Sequence, residues 1–375
     1  MDAPGAHATN AASEGVAGPL RVFTLDPAWD HDRWVDFLAG HEEAHAYHHP
    51  LWLELLRRAF GHRVEALTVE DAAGRLCGLL PLVVRRSGRR RLVLSSLPHT
   101  PVAGPLARDE QSLRALVRAV VDHVQARNGR LLLKTSAPLP PDVSEHLVRA
   151  AWDATYVREL PARPEELRFG NSRTHGAIAR GVRKARREGV EVRAATGVAD
   201  VRRWYPLYLE AMRAHAVPPR PLRFFEIAWE TLAEPGLMRL LLAEHWDAGR
   251  PPRLLSGSIF FLFGGTVFYA FNGRLRSGLV ARPNDAIHWA ALESACREGF
   301  RRFDFGEVTP SQHGLAAYKA KWGARPVPLY RYHYPKPTTA DRLLRPESRA
   351  HRLAAVTWQR LPIGVTQTIG ELLYR

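Results

Sequence analysis

Two neighbouring segments beyond residue 300 carry the most information about this chain: Arg301-Arg302-Phe303-Asp304-Phe305-Gly306 and Gly314-Leu315-Ala316-Ala317-Tyr318-Lys319-Ala320-Lys321-Trp322-Gly323-Ala324. The first predicts a short buried strand that ends in a carboxylate, and the second predicts a turn and one amphipathic helical segment. The chain has five lysines and 48 arginines, yet two lysines lie two positions apart here. Lysine has a tunable pKa whereas arginine keeps its proton, so Lys319 or Lys321 is predicted to need lysine chemistry. The alternative is a pair of solvated cations on a helix.

Alternating helix and strand signals extend from these segments through the whole chain. In the second half we predict helices at 173–188, 198–214, 222–233 and 284–298, and strands at 190–194, 237–244, 254–263, 266–271, 303–305 and 326–334. In the first half we predict helices at 50–60, 111–126 and 142–152, and strands at 64–69, 76–84, 91–97, 130–134 and 155–160. Both halves repeat one order of elements. This predicts an α+β fold (mixed α/β sheets) of two tandem domains, with mostly antiparallel central sheets flanked by helices.

The proline-containing segment 161–164 predicts the boundary between the two domains. The expected divisions are a disordered tail at 1–18, an N-terminal domain at 19–163, a C-terminal domain at 164–337 and a basic helical tail at 338–375. We expect the last tail to dock on the second domain rather than on a membrane surface. The apolar run 254–271 is interrupted by Gly264 and Gly265, so it predicts a buried hairpin and not a membrane-spanning helix.

The chain is strongly basic, with a formal net charge of +15 and a pI near 10.4. This charge favours a polyanionic partner such as nucleic acid, a phosphorylated carrier or an anionic membrane surface. GC-rich coding is the alternative source of the arginine excess. Residues 1–18 lack the features of a secretory signal, and Cys77 and Cys296 are too isolated to form a disulfide framework or a metal cluster. We therefore expect a cytoplasmic protein, with peripheral contact at the inner face of the membrane as an option.

The densest positive charge lies on the predicted helix at 173–188. Arg180, Arg183, Lys184 and Arg187 recur at steps of three and four residues, so several of them share one face. Such a face is predicted to contact the phosphates of tRNA or of a pyrophosphate-linked acceptor. The alternative is a solvated helix face.

Polar side chains at the ends of predicted strands are the remaining candidates for a site. Asn272 follows the strand that contains Tyr269, and Asp304 ends the next central strand, so we expect them at neighbouring strand ends. There they would position an amine and polarise a carbonyl, although Asn272 could instead form a turn. Gln312 and His313 directly precede the lysine-bearing segment, and His313 is a weaker candidate base.

These residues together resemble the FemABX-type transferases, in particular their FemAB-related, acetyltransferase-like branch of the GNAT superfamily. The resemblance depends mainly on one signature: Phe303-Asp304-Phe305-Gly306, Gly314-Leu315-x-x-Tyr318-Lys319-x-x-Trp322-Gly323-Ala324 and Pro328-Leu329-Tyr330. Weaker similarity lies in Pro50-Leu51-Trp52, Ala59-Phe60-Gly61-His62, Gly104-Pro105-Leu106 and Arg180-x-x-Arg183-Lys184-Ala185. It implies two GNAT-like domains in tandem and transfer of an acyl or aminoacyl group to an amine.

The resemblance also implies roles for particular residues. Tyr318 and Lys319 match the aromatic–lysine pair that steadies the acyl carbonyl as negative charge develops. The basic-helix residues Arg180, Arg183 and Lys184 match the family's basic helix. We further expect Asp304 to orient or deprotonate the acceptor amine, and the substrate-binding candidates are Tyr269, Asn272, Gln312, His313 and Trp322.

The donor is expected to be aminoacyl-tRNA or acyl-CoA, with no tightly bound cofactor and no metal. Segment 272–278 does not match the Arg/Gln-x-x-Gly-x-Gly/Ala turn that cradles coenzyme A pyrophosphate in GNAT proteins, which favours tRNA. The chain also lacks a P-loop, a G-x-S-x-G elbow, an H-E-x-x-H pair and a G-x-G-x-x-G turn opening a helix.

The sequence therefore predicts an N-acyltransferase or aminoacyltransferase that forms an amide on an amine acceptor, such as a cell-envelope precursor of peptidoglycan or a small molecule. Its partners would be tRNA, the acceptor and, peripherally, an anionic membrane or lipid-linked precursor. One alternative is an acyl-CoA-dependent N-acetyltransferase acting on a polysaccharide or small-molecule amine. Another is a non-catalytic RNA- or envelope-binding module.

Overall fold

The computed structural model describes residues 20–25, 31–87, 91–150, 152–169, 172–247, 249–309, 312–335 and 349–374. The predicted tail at 1–18 lies outside these residues. Within them, no helix is both long and apolar enough to cross a membrane.

The first half begins with one strand and one helix that the sequence analysis did not predict. The strands are β1 (Arg21–Leu25), β2 (Arg63–Glu70), β3 (Leu76–Ser87), β4 (Arg91–Ser95), β5 (Leu106–Ala107), β6 (Arg130–Thr135) and β7 (Val148–Ala150). The helices are α1 (His31–Ala39), α2 (Pro50–Phe60), α3 (Glu110–Gln125) and α4 (Pro141–Ser144).

The second half has more helices than the first, and its last two helices form the C-terminal segment. Its strands are β8 (Ala154–Glu159), β9 (Val190–Ala194), β10 (Met238–His245), β11 (Arg253–Phe263), β12 (Thr266–Arg274), β13 (Arg302–Val308), β14 (Arg325–Pro328) and β15 (Tyr330–Tyr334). Its helices are α5 (Ser172–Arg187), α6 (Val198–Ala214), α7 (Leu222–Leu232), α8 (Pro283–Arg297), α9 (His313–Lys321), α10 (Arg349–Arg360) and α11 (Ile363–Leu373).

These strands form two sheets with the same internal plan. The first sheet has the order β1-β2-β3-β4-β6-β15-β7, with β5 paired to β3, and the second has the order β9-β10-β11-β12-β13-β8-β14. Each contains one parallel pair, β4 with β6 and β12 with β13, and α3 or α8 provides the crossover between its two strands. The remaining pairs are antiparallel, so the predicted fold class of two tandem, mostly antiparallel sheets is confirmed.

The two halves exchange one strand each, which the predicted boundary at 161–164 did not anticipate. Strand β8 was assigned to the first domain but pairs with β13 and β14 in the second sheet. The strand predicted at 326–334 divides into β14, which stays in the second sheet, and β15, which pairs with β6 and β7 in the first. A sequence pattern shows where strands form but not which edge they join, because pairing depends on distant partners.

The helix predicted at 142–152 is also wrong. Only the single turn of α4 forms, and Val148–Ala150 becomes β7, paired with His333, Tyr332 and Arg331 of β15. Strand β15 has a free edge in the first sheet. Pairing of residues 148–150 with that edge outweighs the helical preference of their local sequence.

The hairpin predicted from the apolar run 254–271 is confirmed. β11 and β12 pair antiparallel, and Gly264 at the turn adopts a left-handed φ of +56° that glycine tolerates. The strands are buried on both faces, because α6 covers one face and α8 the other.

One apolar core joins the two halves. Trp52 of α2 packs its ring edge-on against Phe261 of β11, with centroids 4.9 Å apart, and against Phe224 of α7 at 6.3 Å. All three side chains are at most 1% exposed. The C-terminal helices α10 and α11 contact α6, and Gly370 of α11 approaches Pro219 too closely to leave room for a side chain.

Because the sheets exchange strands and share this core, we expect the whole chain to unfold in one cooperative transition. Urea titrations followed by far-ultraviolet circular dichroism and by tryptophan fluorescence should coincide. Phe224→Ala should lower the free energy of unfolding by about 3–5 kcal/mol without splitting the transition. The control Val280→Ala removes an exposed side chain and should change little. Two separate transitions would contradict a shared core.

Candidate active site

The site begins where two central strands separate. β12 and β13 pair in parallel only from Thr266 with Arg302 to Phe268 with Asp304, and beyond these positions the ladder ends. Side chains and backbone groups of the two strands are therefore free to face the gap between them. Such a gap at the carboxyl ends of strands is a common place for a ligand in mixed sheets.

A cavity of about 800 Å³ occupies this gap. Residues 269–272 of β12, Phe305 and Glu307 of β13, and the first turn of α8 form its inner wall. The opposite wall comes from α6, from the proline-rich connection 217–220 and from Tyr374 at the end of α11. Five of the predicted site residues line it: Tyr269, Asn272, Gln312, Tyr318 and Lys319.

Lys319 lies at this wall with its ammonium group held by backbone carbonyls. Its Nζ donates to the oxygen of Gly306 at 2.8 Å and to that of Glu307 at 3.0 Å, and the residue is 4% exposed. An ammonium has three N–H donors, so one remains available on the side of the cavity. Burial lowers the pKa of Lys319 to about 8, and the carboxylates of Asp304 and Glu307 oppose this shift.

A bulge in β13 brings those carbonyls to the lysine. The pairing of β13 with β8 shifts register between Asp304 and Glu307, and Gly306 adopts φ +83°. A residue with a side chain would be strained in this left-handed conformation, so glycine is needed for the carbonyl to turn inward.

Asp304 stabilises this bulge and does not reach the cavity. Its Oδ1 accepts a hydrogen bond from the Thr155 hydroxyl and one from the Gly306 amide at 2.7 Å. Burial raises the pKa of the carboxyl group, and the two hydrogen bonds and Lys319 favour its charged form. The prediction of a strand-end carboxylate beside Asn272 is wrong, because Asp304 lies mid-strand and its side chain faces β8. It is therefore a positioning residue in this geometry.

Tyr318 is joined to a buried histidine that the sequence analysis did not identify. Its Oη lies 3.0 Å from Nδ1 of His288 on α8, which is hydrogen-bond distance. Burial, with Lys319 nearby, lowers the pKa of His288 to about 3, so the imidazole is neutral. Burial also raises the pKa of Tyr318 far above its usual value, which leaves the phenol protonated.

Asn272 belongs to a polar cluster rather than to a turn. It lies within β12, where its Nδ2 donates to the Ser258 hydroxyl at 3.1 Å. The neighbouring Ser256 hydroxyl donates to Asn284 Oδ1 at 2.6 Å. Asn272 and Asn284 both line the cavity, so this cluster offers amide groups to a ligand.

Arg220 presents a cation at the opposite wall. Its guanidinium is 7% exposed, donates through Nη2 to the His99 carbonyl at 2.5 Å, and lies over the rings of Phe271 and Phe224 at 4.9 and 4.6 Å. Nη1 is buried without a hydrogen-bond partner among the described residues. A buried N–H without a partner is costly, so this group favours an anion from a ligand.

The remaining predicted residues lie outside the cavity lining. Trp322 is fully buried and packs on Phe169 with centroids 5.3 Å apart, and His313 is exposed. Neither geometry supports contact with a substrate.

The basic-helix residues also lie off the cavity. Along α5, Arg180, Arg183 and Arg187 are exposed and Lys184 is half-buried. The helix nevertheless reaches the site, because Gly181 contacts the cavity residue Asp285.

One sequence feature could have identified the missed residues on α8. Asn284, Asp285 and His288 are polar residues in the first turns of this helix, next to an apolar stretch, and such a pattern is typical of buried polar groups. Arg220 offered no such signal among 48 arginines. Within the described residues, no group of three or more histidine, cysteine or acidic side chains could hold a metal ion.

Comparison with known proteins agrees with this geometry. Residues 172–320 match the family model described as "Acetyltransferase (GNAT) domain". A search of curated proteins finds no match. The crystal structure of FemX superposes with a TM-score of 0.67 at 13% identity, over 83% of this chain and 96% of that one.

Two further solved structures share the fold. The C-terminal domain of a putative lysylphosphatidylglycerol synthetase from Agrobacterium fabrum has a TM-score of 0.56 at 12% identity, over 88% of this chain and 97% of its own. L-PGS from Bacillus licheniformis has a TM-score of 0.56 at 10% identity, over 92% and 98%. The chain therefore shares the fold of these structures, and residues 172–320 are similar to the GNAT acetyltransferase domain.

The buried ammonium of Lys319 predicts a pH-dependent contribution to stability. The folded pKa of about 8 lies below the ordinary 10.5, so between these values the unfolded chain binds more protons and the free energy of unfolding rises with pH. Lys134, whose pKa burial lowers to about 7, acts in the same direction. Lys319→Met should remove only the contribution of Lys319 to this pH dependence. The free energy of unfolding of the wild type should therefore rise relative to that of the variant from about pH 8 to about pH 10.5.

Urea unfolding at several pH values measures this difference. Carbon-13 labelling of the five lysines gives a direct titration of each ammonium. A Lys319 signal that titrates at the ordinary value would refute the burial of its charge.

Proposed function

We propose that this protein transfers an aminoacyl or acyl group to an amine and forms an amide bond. A neutral acceptor amine attacks the carbonyl carbon of an ester or thioester donor in the cavity. The new C–N bond forms, the tetrahedral oxyanion collapses, and the donor alcohol or thiol leaves with the proton lost by the amine. The observation that carries the proposal is the buried Lys319 ammonium, with one donor unused at the cavity wall.

Lys319 suits the stabilisation of that oxyanion. The two carbonyls that hold Nζ fix the group before a substrate arrives, so little reorganisation is needed when charge develops. Burial strengthens the interaction with a negative oxygen because water is excluded. A single donor of this kind is worth roughly 3–4 kcal/mol in the transition state.

Arg220 indicates that one substrate carries an anionic group. It lines the same cavity as Lys319, and its buried guanidinium suits a phosphate or carboxylate group. A phosphorylated cell-envelope precursor would satisfy this requirement, as would an acidic small molecule.

Aminoacyl-tRNA is the donor that we favour. Helix α5 contacts the cavity residue Asp285 through Gly181, and the exposed Arg180, Arg183 and Arg187 of this helix would contact a nucleic-acid backbone. The net charge of +15 supports the same partner. Acyl-CoA remains the second candidate, because the matched family model is described as an acetyltransferase domain.

We also propose a peripheral location at an anionic membrane, from the cytoplasmic side. Leu372 and Leu373 of α11 are 62% and 60% exposed next to the cavity residue Tyr374. Apolar side chains at the rim of a basic protein suit contact with a lipid surface.

A donor screen tests the function. Labelled acyl-CoA and a pool of charged tRNAs are incubated with candidate amines, and amide products are detected by mass spectrometry. Lys319→Met should reduce turnover by about 10²–10³-fold with the fold intact. Arg297→Met removes an exposed cation of α8 that does not line the cavity, and it should keep most of the activity. Near-normal turnover in Lys319→Met would exclude the oxyanion role.

A second variant tests the anionic subsite. Arg220→Met should raise the KM of the substrate that carries the anion by about tenfold or more, with a smaller change in kcat, because a charge-assisted hydrogen bond is lost. Arg223→Met removes an exposed arginine one turn along the chain and serves as the control. An unchanged KM in a folded Arg220→Met protein would contradict this assignment.

A further inference from the structure

One buried carboxylate in the cavity has no assigned role. Asp285 and Glu307 are the two acidic residues that line it. Glu307 is engaged, because its Oε1 accepts from Arg331 at 2.8 Å and from Trp152 at 3.1 Å. Asp285 is 5% exposed and has no arginine or lysine within ion-pair distance among the described residues. A buried charge without a counter-ion is costly, so Asp285 favours a cation from outside the chain.

The surroundings of Asp285 preserve this carboxylate. Its Oδ2 lies against the backbone of Gly181, where an added Cβ would come within 2.5 Å. Burial raises the pKa of Asp285, whereas Lys321, Arg282 and a hydrogen bond from Tyr318 favour its charged form. These cations lie near enough to influence the carboxylate but not to pair with it. The carboxylate is thus buried at the cavity wall and open to a ligand.

Asp285 lines the same cavity as Lys319. His288, which follows Asp285 by three positions on the same face of α8, lies 3.0 Å from the hydroxyl of Tyr318, the residue before Lys319. A ligand whose carbonyl oxygen meets Lys319 would therefore bring its neighbouring groups towards Asp285. In an aminoacyl donor, that neighbouring group is the α-ammonium.

We propose that Asp285 is a binding subsite for a primary ammonium group of a substrate, next to the carbonyl that Lys319 stabilises. This proposal deepens the proposed function, on which it rests. The ammonium belongs either to the α-carbon of an aminoacyl donor or to the acceptor before it loses its proton. An acyl-CoA donor has no such group beside its carbonyl, so a subsite of the first kind selects aminoacyl donors.

A binding experiment with the full-length protein tests the subsite without turnover. The probe is L-alaninamide, titrated by ligand-detected NMR at about pH 6.5, where its amine is protonated, with N-acetyl-L-alaninamide as the neutral match. The charged probe should bind at least tenfold more tightly. Asp285→Asn should abolish that preference, because it removes the charge at nearly constant shape, and Asp285→Glu should retain part of it.

Isopropylamine, which lacks the carboxamide, shows whether the donor or the acceptor supplies the ammonium group. If the donor supplies the ammonium, L-alaninamide should bind more tightly than isopropylamine, and Lys319→Met should remove the difference. If the acceptor supplies it, the two amines should bind alike in both proteins. Either result supports an ammonium subsite.

The proposal is overturned if the neutral probe binds as well as the charged one, or if a folded Asp285→Asn protein binds L-alaninamide like wild type. A protein that binds amines through Asp285 but forms no amide in the donor screen would keep this subsite and lose the proposed function. The two failures are therefore distinguishable.

Discussion

The contact between the Lys319 ammonium and two backbone carbonyls of β13 is the interaction on which the site depends. It requires a strand that bulges inward, and the bulge requires glycine at position 306 because of its left-handed backbone. The bulge also requires the side chain of Asp304, which accepts a hydrogen bond from the Gly306 amide. A cation buried without such partners would be too costly to retain.

The exchanged strands supply much of this support. β8 contributes Thr155, which donates to Asp304, and Arg158, which donates to the Trp322 carbonyl at 2.5 Å and so caps the end of α9. β15 contributes Arg331, which holds Glu307 at the cavity rim. The cavity is lined by residues that fall within 208–374, and strands β8 and β15 support it from outside its lining.

Burial sets the charge pattern of the cavity. It keeps His288 neutral, holds the Tyr318 phenol protonated and brings the pKa of Lys319 close to neutrality. Within the part of the chain that the structure describes, Arg220 and the carboxyl group of Asp285 line the cavity without an ion-pair partner. This arrangement suits substrates that carry both an anionic group and an amine around a reactive carbonyl.

Local sequence determined the elements and the central residue of the site. The hairpin at 254–271 and the length of α6 follow from apolar periodicity and glycine turns, the rarity of lysine points to Lys319 or Lys321, and the family resemblance selects Lys319. Only the tertiary structure decided which sheet β8 and β15 join, since strand pairing depends on distant edges. It alone turned Asp304 away from the cavity and brought Asp285 and Arg220 into it. A side chain's direction within a strand bulge or helix turn is set by packing, which no local pattern records.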